Sequence, residues 1–320
     1  MTKKTRYFLA GSAAVLAAGI GTGMIAYYTG GFQPVAAAPV ANELRYVPAD
    51  ATVVAYADVQ TIMKSELRMR LKAAMPMQQQ GQEEFQRETG IDIENDIDYI
   101  VAAVTGADPH TGGLIVARGR FNETQLETLA LQHGGVVEKY QEKRIVSSQP
   151  NAQHGQFTLA FLEPGLLAMG PKAAVQRAID SQLTSQSITK NSEMMELVGE
   201  IAQANQAWAV GRFDQIASTA KLPPEIAQRM PPIKWFAAAG HINGGISGML
   251  RADAIDEASA DQLRRTVNGL MALGEMLSGA DPQAAALAKS LQMSGSGNTV
   301  TLSFSIPAEL LAMIPQAAAK

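Results

Sequence analysis

A run of 22 residues without a charged side chain, Tyr7–Tyr28, limits what the start of this chain can fold into. As a helix it would be roughly 33 Å long at about 1.5 Å per residue, which is enough to cross the hydrocarbon core of a bilayer. Lys3, Lys4 and Arg6 precede the run, and a basic start stays on the cytoplasmic side. We therefore expect a single-pass signal anchor in residues 1–29, with the body on the extracytoplasmic side of the membrane.

Cleavage of this segment is a second interpretation. The small residues Val35-Ala36-Ala37-Ala38 fit a signal-peptidase site, and cleavage there would release a free periplasmic domain. The apolar run is longer than the roughly 7–15 residues of a secretory signal, and Pro39 follows the site directly. We favour the retained anchor and leave cleavage open.

Small residues recur along the predicted span at a four-residue step. Such ridges let two membrane helices approach closely, which makes these positions candidates for packing against another membrane protein. A generic alanine-rich signal sequence has the same composition, and both interpretations stay open. The candidate helix-packing residues are Gly19, Gly23, Ala10, Ala14 and Ala18.

The rest of the chain divides into a tether and a body. Residues 30–43 contain glycines, two prolines and many alanines without a hydrophobic period, which predicts a flexible tether. A hydrophobic content of 47% against 18% charged residues is enough to form a core. The absence of cysteine excludes disulfides, thiolate metal sites and cysteine nucleophiles, and a net charge of −4 gives no indication of a nucleic-acid partner.

The body repeats one order of predicted elements, which is strand, helix, hairpin, helix and hairpin. We assign the first repeat to residues 44–190 and the second to residues 191–320, and in each the outgoing strand of the first hairpin ends in a basic residue, Arg118 or Arg251. The order predicts an α+β fold, a tandem duplicated unit of antiparallel strands and hairpins with helices packed on one side. The two copies could share a continuous sheet or face each other around a groove.

The main predicted elements have bounds that can be compared with the structure. The predicted strands are Thr52–Ala57, Tyr99–Val104, Leu114–Arg118, Arg144–Ser147, Gln156–Phe161, Leu166–Met169, Ala207–Val210, Ile233–Ala239, Ile246–Arg251, Gln292–Met293 and Thr299–Ser305. The predicted helices include Glu123–Gln132 capped by Asn122, Pro171–Gln182, Glu257–Leu277 and a short Leu310–Met313.

Three short motifs carry a resemblance to known proteins. They are the segment Leu44-Arg45-Tyr46-Val47-Pro48-Ala49-Asp50, the element Gly170-Pro171-Lys172-Ala173-Ala174-Val175-Gln176-Arg177-Ala178-Ile179-Asp180, and Asn191-Ser192-Glu193 followed by the Trp208 strand. Together they resemble a group of exported, membrane-tethered bacterial proteins of unknown function, over about half of the chain. The resemblance implies an extracytoplasmic location and a duplicated architecture, and it implies no activity.

Two polar patterns contain residue types that occur in known metal or catalytic sites. Acidic residues alternate with isoleucines from Asp92 to Asp98, which suits calcium, but the glycine and final glutamate of an EF-hand loop are missing. A half-buried extended segment explains the same alternation. Ser187-Ile188-Thr189-Lys190 has the SxxK spacing of serine acyl enzymes without their supporting motifs.

The remaining candidates have ordinary structural explanations. The four histidines form no metal-binding pair, although His110 and His241 lie near equivalent hairpins. A basic line through Lys64 and Arg68 could touch lipid headgroups or form a solvated helix face. The fifteen methionines could line a groove or fill the core. We expect no catalytic residue, no cofactor and no metal.

These observations favour a membrane-anchored extracytoplasmic binding or scaffold protein. It would be an accessory component of a membrane-associated complex, would contact the membrane and another membrane protein, and would have no catalytic activity. The alternative is a periplasmic carrier of a lipid or other apolar ligand, held in a cleft between the two repeats. A third hypothesis is a hydrolase whose site, with His110, His241 and Ser187, forms only between the copies. The sequence predicts no particular small-molecule ligand.

Overall fold

The computed structural model describes residues 42–66, 89–106, 112–149, 156–216, 231–242, 245–277 and 290–307, with isolated positions 68, 83, 86 and 87. The predicted anchor with its five small residues, almost all of the tether, and the predicted helix Leu310–Met313 lie outside these residues.

One antiparallel sheet contains all twelve strands of the described residues. The order across the sheet is β11-β12-β10-β9-β8-β1-β2-β3-β7-β6-β5-β4. The strands are β1 (Ala51–Ala57), β2 (Ile97–Thr105), β3 (Gly113–Gly119), β4 (Val136–Tyr140), β5 (Lys143–Ser147), β6 (Phe157–Glu163), β7 (Leu166–Pro171), β8 (Ala207–Arg212), β9 (Ile233–Ile242), β10 (Gly245–Ala254), β11 (Gln292–Ser294) and β12 (Thr299–Pro307). The predicted class, α+β with antiparallel strands, is confirmed at this level.

Helices connect these strands and cover the sheet. The α-helices are α1 (Val59–Met63), α2 (Ile93–Asp96), α3 (Glu123–Gln132), α4 (Lys172–Thr184), α5 (Ser192–Ile201), α6 (Phe213–Ile216) and α7 (Glu257–Leu277). Short 3₁₀ helices are η1 (Glu43–Tyr46), η2 (Ile188–Lys190) and η3 (Ala202–Ala204). The predicted Asn122 cap is confirmed, because its side chain accepts a hydrogen bond of 3.1 Å from the Gln125 backbone N–H.

The two halves of the chain share this sheet and meet at its centre. β1 pairs with β8 over five positions, with Tyr56 opposite Trp208 and Ala55 opposite Ala209. Nearly all residues of both strands are buried, as expected for continuous apolar runs that are covered on both faces. Of the two arrangements that the sequence left open, the continuous sheet is the observed one.

The prediction that helices pack on one side is wrong, because helices cover both faces. Two neighbours in β5 show this, since successive side chains of a strand point to opposite faces. Ile145 belongs to the core formed with α4 and α5, whereas Val146 packs in the cluster that contains Leu126 of α3. We call the first side the connector face, since it holds η1, α4, η2 and α5, and the second side the opposite face.

The course of the chain is similar in the two halves up to a point. The first half runs β1, α1, β2, β3, α3, and the second runs β8, α6, β9, β10, α7. Among the described residues, four strands follow α3, β4 to β7, and two follow α7, β11 and β12. β7 pairs with β3 as β12 pairs with β10, so the described part of the first half has two additional strands at its edge.

One of the additional strands, β4, is the strand of the first half that the sequence analysis did not predict among the described elements. β4 and β5 form a hairpin closed by Gln141 and Glu142, which have positive φ angles of 47° and 62°. Two-residue turns of this kind normally contain glycine, asparagine or aspartate, and neither residue gives that signal. The segment before β2 also differs from the extended prediction, because Ile93–Asp96 forms the short helix α2.

Candidate functional site

A cluster of charged and tyrosine side chains lies on the connector face, where the chain enters the fold. We call these residues the entry cluster: Glu43, Arg45 and Tyr46 of η1, Tyr99 of β2, Arg118 of β3 and Glu163 of β6. η1 is the first described helix, and it packs beside α4 over the first half of the sheet.

Arg118 is the centre of the entry cluster. Its Nη2 donates a hydrogen bond of 2.6 Å to Glu43 Oε1 and lies 3.6 Å from Glu163 Oε2. The Glu43 side chain is only 3% exposed, and the Arg118 guanidinium is its ion-pair partner. Glu43 Oε2 has no hydrogen-bond partner, and one ion pair therefore holds a nearly buried carboxylate against the sheet.

Glu163 contacts Arg45 and Tyr46, the other two η1 residues of the cluster, as well as Arg118. The Tyr46 hydroxyl donates a hydrogen bond of 2.9 Å to Glu163 Oε1, and Arg45 forms a salt bridge with that oxygen. Burial alone would raise the pKa of Glu163, but the Tyr46 hydrogen bond and the charges of Arg45 and Arg118 outweigh it and lower the pKa. Glu163 is therefore ionised at neutral pH.

The tyrosines of this region stay protonated. Burial, and secondarily the contact with Glu163, raises the pKa of Tyr46 to about 12. Burial and the charge of Glu43 likewise raise the pKa of Tyr99. The shifts that are resolved in this cluster move its acids and phenols away from neutrality, and the geometry suits a fixed electrostatic clamp better than proton transfer.

A row of aromatic rings leads from the entry cluster across the centre of the sheet. The ring centroids of Tyr99 and Tyr56 are 5.7 Å apart, and those of Tyr56 and Trp208 are 5.9 Å apart with an interplanar angle of 20°. Trp208 is fully buried and belongs to β8. The row therefore joins the first half to the second.

The second half has a counterpart to the entry cluster, built around Arg251 of β10. Arg251 Nε donates a hydrogen bond of 3.0 Å to Asp253 Oδ1, and the guanidinium forms a salt bridge with Glu200 at the end of α5. Glu200 precedes β8 as Glu43 precedes β1. The Glu200 side chain is 48% exposed, so the counterpart is a much wetter ion pair.

The acidic stretch that raised the calcium hypothesis is used for local bonding. Asp92 caps α2 by accepting hydrogen bonds from the backbone N–H groups of Glu94 and Asn95, at 2.9 and 3.3 Å. Asp96 lies 3.4 Å from Arg120, and Asp98 accepts a hydrogen bond from Gln60. Within the described residues no group of three or more such side chains is placed to hold a metal ion.

The histidine and serine candidates are not brought together in the described part of the chain. His133 ends α3, where its Nδ1 lies 2.8 Å from the Leu129 carbonyl oxygen. His241 lies in β9, where burial lowers its pKa. Ser187 is buried with its hydroxyl 2.7 Å from that of Thr189. His110 and His154 lie outside the described residues.

The other sequence candidates fall partly within the structure. Arg68, from the basic line, forms a 3.3 Å ion pair with Glu94. Met194 is fully buried in the core, and Met195 and Met249 pack against it, as the core-filler interpretation expects. In the described residues no helix is long and apolar enough to cross a membrane, and the span Tyr7–Tyr28 is not among them.

Comparisons with known proteins give little to add. No protein-family model matches the chain. No curated protein matches it either. Two crystal structures of TP0453, crystal forms III and I, are similar with TM-scores of 0.47 and 0.45 and identities of 11% and 12%. Each comparison covers 85% of this chain and 97% or 96% of the other. A similarity at this level says nothing about function.

Proposed function

We propose that this chain is a membrane-anchored extracytoplasmic binding or scaffold protein without catalytic activity. It would be an accessory component of a complex at the bacterial inner membrane, with residues 1–29 as its anchor and residues 30–43 as its tether. The body would act by presenting a rigid surface to another membrane protein.

The observation that carries this proposal is the attachment of η1 to the sheet. η1 begins at Glu43, where the predicted tether ends. Its polar side chains form hydrogen bonds with Arg118 and Glu163. A chain fixed at this point would hold the end of the tether at one defined place on the sheet. A free domain would have less need for a nearly buried ion pair at this point of the chain.

The internal duplication belongs to the same proposal. We infer that residues 44–190 and 191–320 are two copies of one unit, which the parallel courses of the halves and their paired arginines support. The carrier alternative needs a cleft between the copies. The direct pairing of β1 with β8 occupies that boundary, and the described methionines at 194, 195 and 249 pack in or against the core.

The test is the intact mass of the protein taken from its native membrane, together with isolation in mild detergent. We expect a mass that includes residues 1–29 and a co-purifying membrane protein in fixed ratio. Gly19→Ile with Gly23→Ile should lose that partner, whereas the matched change Ala13→Ile, beside the ridge, should retain it.

A mass that begins near Ala38, with no partner, would contradict the proposal. The carrier alternative would then need native mass spectrometry with a retained lipid to support it.

A further inference from the structure

The two edges of the sheet differ in charge. The β4 edge carries Glu138 and Lys139, and its hairpin continues into Glu142 and Lys143. At the other edge the chain has no charged residue from Ser290 to Ala308, a range that includes β11 and β12. Proteins usually guard edge strands with charges, because an unguarded edge pairs with other strands.

The uncharged edge is also open among the described residues. No described strand lies beyond β11, whose Gln292 and Ser294 are exposed. β11 pairs with only three of the nine residues of β12, ending at Ser303. Beyond this point Ser305 and Pro307 of β12 are exposed as well. We call β11 together with residues 304–307 of β12 the neutral edge.

The corresponding edge in the first half is covered. β6 holds the position there that β11 holds in the second half, and β5 and β4 continue the sheet beyond it. In the described part of the chain the second half thus stops two strands earlier, at an edge strand, and the outer side of an edge strand has backbone groups that can accept or donate hydrogen bonds.

We propose that the neutral edge pairs, antiparallel, with the neutral edge of a second copy of this chain. A strand that pairs antiparallel with itself is self-complementary under a two-fold axis, and the pairing closes as a dimer. Centred on Met293, the pairing places Gln292 of one chain opposite Ser294 of the other, with no charge on either side. The same pairing of β4 about its middle residue would place Glu138 opposite Glu138, which is repulsive.

The size of the edge sets the strength of this dimer. Three paired residues bury less than the roughly 1,200 Å² of a stable protein interface. The dimer should therefore be weak and dependent on concentration. The anchor of the proposed function would raise the local concentration on a membrane, but the edge pairing itself does not rest on that function.

The absence of cysteine allows a clean cross-linking test of the full chain in detergent. Chains carrying Gln292→Cys are mixed with chains carrying Ser294→Cys, one of them isotope-labelled, and oxidised mildly. We expect a disulfide-linked heterodimer at least about ten-fold above the product of either chain alone, because the proposed register brings only the unlike pair together. Met293 stays unchanged because it packs against the buried cluster of Ala254, Ala260 and Val300.

Val136→Cys, on the 58% exposed position of β4, serves as the matched control. Mixed with Gln292→Cys it should give no product above chance collisions in a shared micelle. Equal cross-linking of the control would overturn the proposal, as would the absence of the heterodimer or capture of a different protein by Gln292→Cys. If no membrane protein co-purifies with the chain but the disulfide-linked heterodimer still forms, the result contradicts the proposed function and leaves the edge pairing intact.

Discussion

Arg118 and Arg251 perform similar structural tasks in the two halves, in different surroundings. Each extends from the outgoing strand of a hairpin to a glutamate that precedes a central strand, β1 or β8. Glu43 is nearly buried, whereas almost half of the Glu200 side chain meets solvent. The difference suggests that the chain start is the more strongly fixed of the two connections, because removing the partner of a buried charge costs far more than breaking an exposed pair.

The largest effect should come from Arg118→Ala. It leaves the Glu43 carboxylate buried without its guanidinium, and we expect a loss of about 3–5 kcal/mol in the free energy of unfolding, measured with urea. Arg251→Ala, the matched variant, should cost less, about 1–2 kcal/mol, since Glu200 is half exposed and Asp253 keeps its hydrogen bond from the Thr299 hydroxyl. Equal losses would remove the distinction between the two halves.

The second comparison concerns the opposite face, which α3 covers in the first half. Leu126 of α3 packs there with Val146, Phe161 and Leu167, so Leu126→Ala should cost about 2–4 kcal/mol. Leu250 of β10 is 46% exposed, and Leu250→Ala should change stability by no more than about 0.5 kcal/mol. A large loss at Leu250 in thermal or urea unfolding would mean that this position is covered in solution.

The caps of two helices offer a comparison in which the halves should agree. Asn122 caps α3, and Asn191 caps α5 by accepting a hydrogen bond of 3.1 Å from the Met194 backbone N–H. Asn122→Ala and Asn191→Ala should each cost about 1 kcal/mol. Aspartate at either position, which can still cap, is the control that should restore stability. A loss at only one helix would show that its local cap geometry differs in solution.

The smallest effect should be a pH dependence of the free energy of unfolding that comes from Glu163 in the first half. The pKa of Glu163 is lower in the fold than in the unfolded chain, so its contribution is present above the unfolded pKa and lost as pH falls through the folded one. Solvent screening limits this contribution to less than about 1 kcal/mol. Urea midpoints between pH 7 and 3 should fall less steeply in Glu163→Gln than in the native chain. Parallel curves would exclude Glu163 as a contributor.

Local signals account for the part of the fold that the sequence predicts well. The observed bounds of α3 and α7 are the predicted ones, and the Asn122 cap identified the start of α3. The hairpin at Gln141 and Glu142 was missed because neither residue is a typical turn former. The sidedness of the helices was predicted wrongly because it depends on contacts across the sheet, which no local pattern reports.

The sequence indicated only the arginine of the entry cluster and not its partners. Arg118 and Arg251 stood out as basic residues at strand ends. Their glutamates did not, because Glu43 is 75 residues from Arg118 and no local pattern marks the pair. Tyr46 and Glu163 are 117 residues apart and equally hidden. Such pairs form only when the sheet has assembled, so spacing along the chain does not reveal them.

The position of β1 in the sheet has a mechanical consequence. Five strands lie on one side of it and six on the other, so at about 4.8 Å per strand the two edges are roughly 24–29 Å away. Tension applied ahead of Glu43 would first load the contacts of η1 with Arg118 and Glu163, and would reach the hydrogen bonds of β1 with β2 and β8 only after these had broken. A pull on the chain start is therefore borne by strands inside the sheet, and a molecule bound at either edge would carry none of that load.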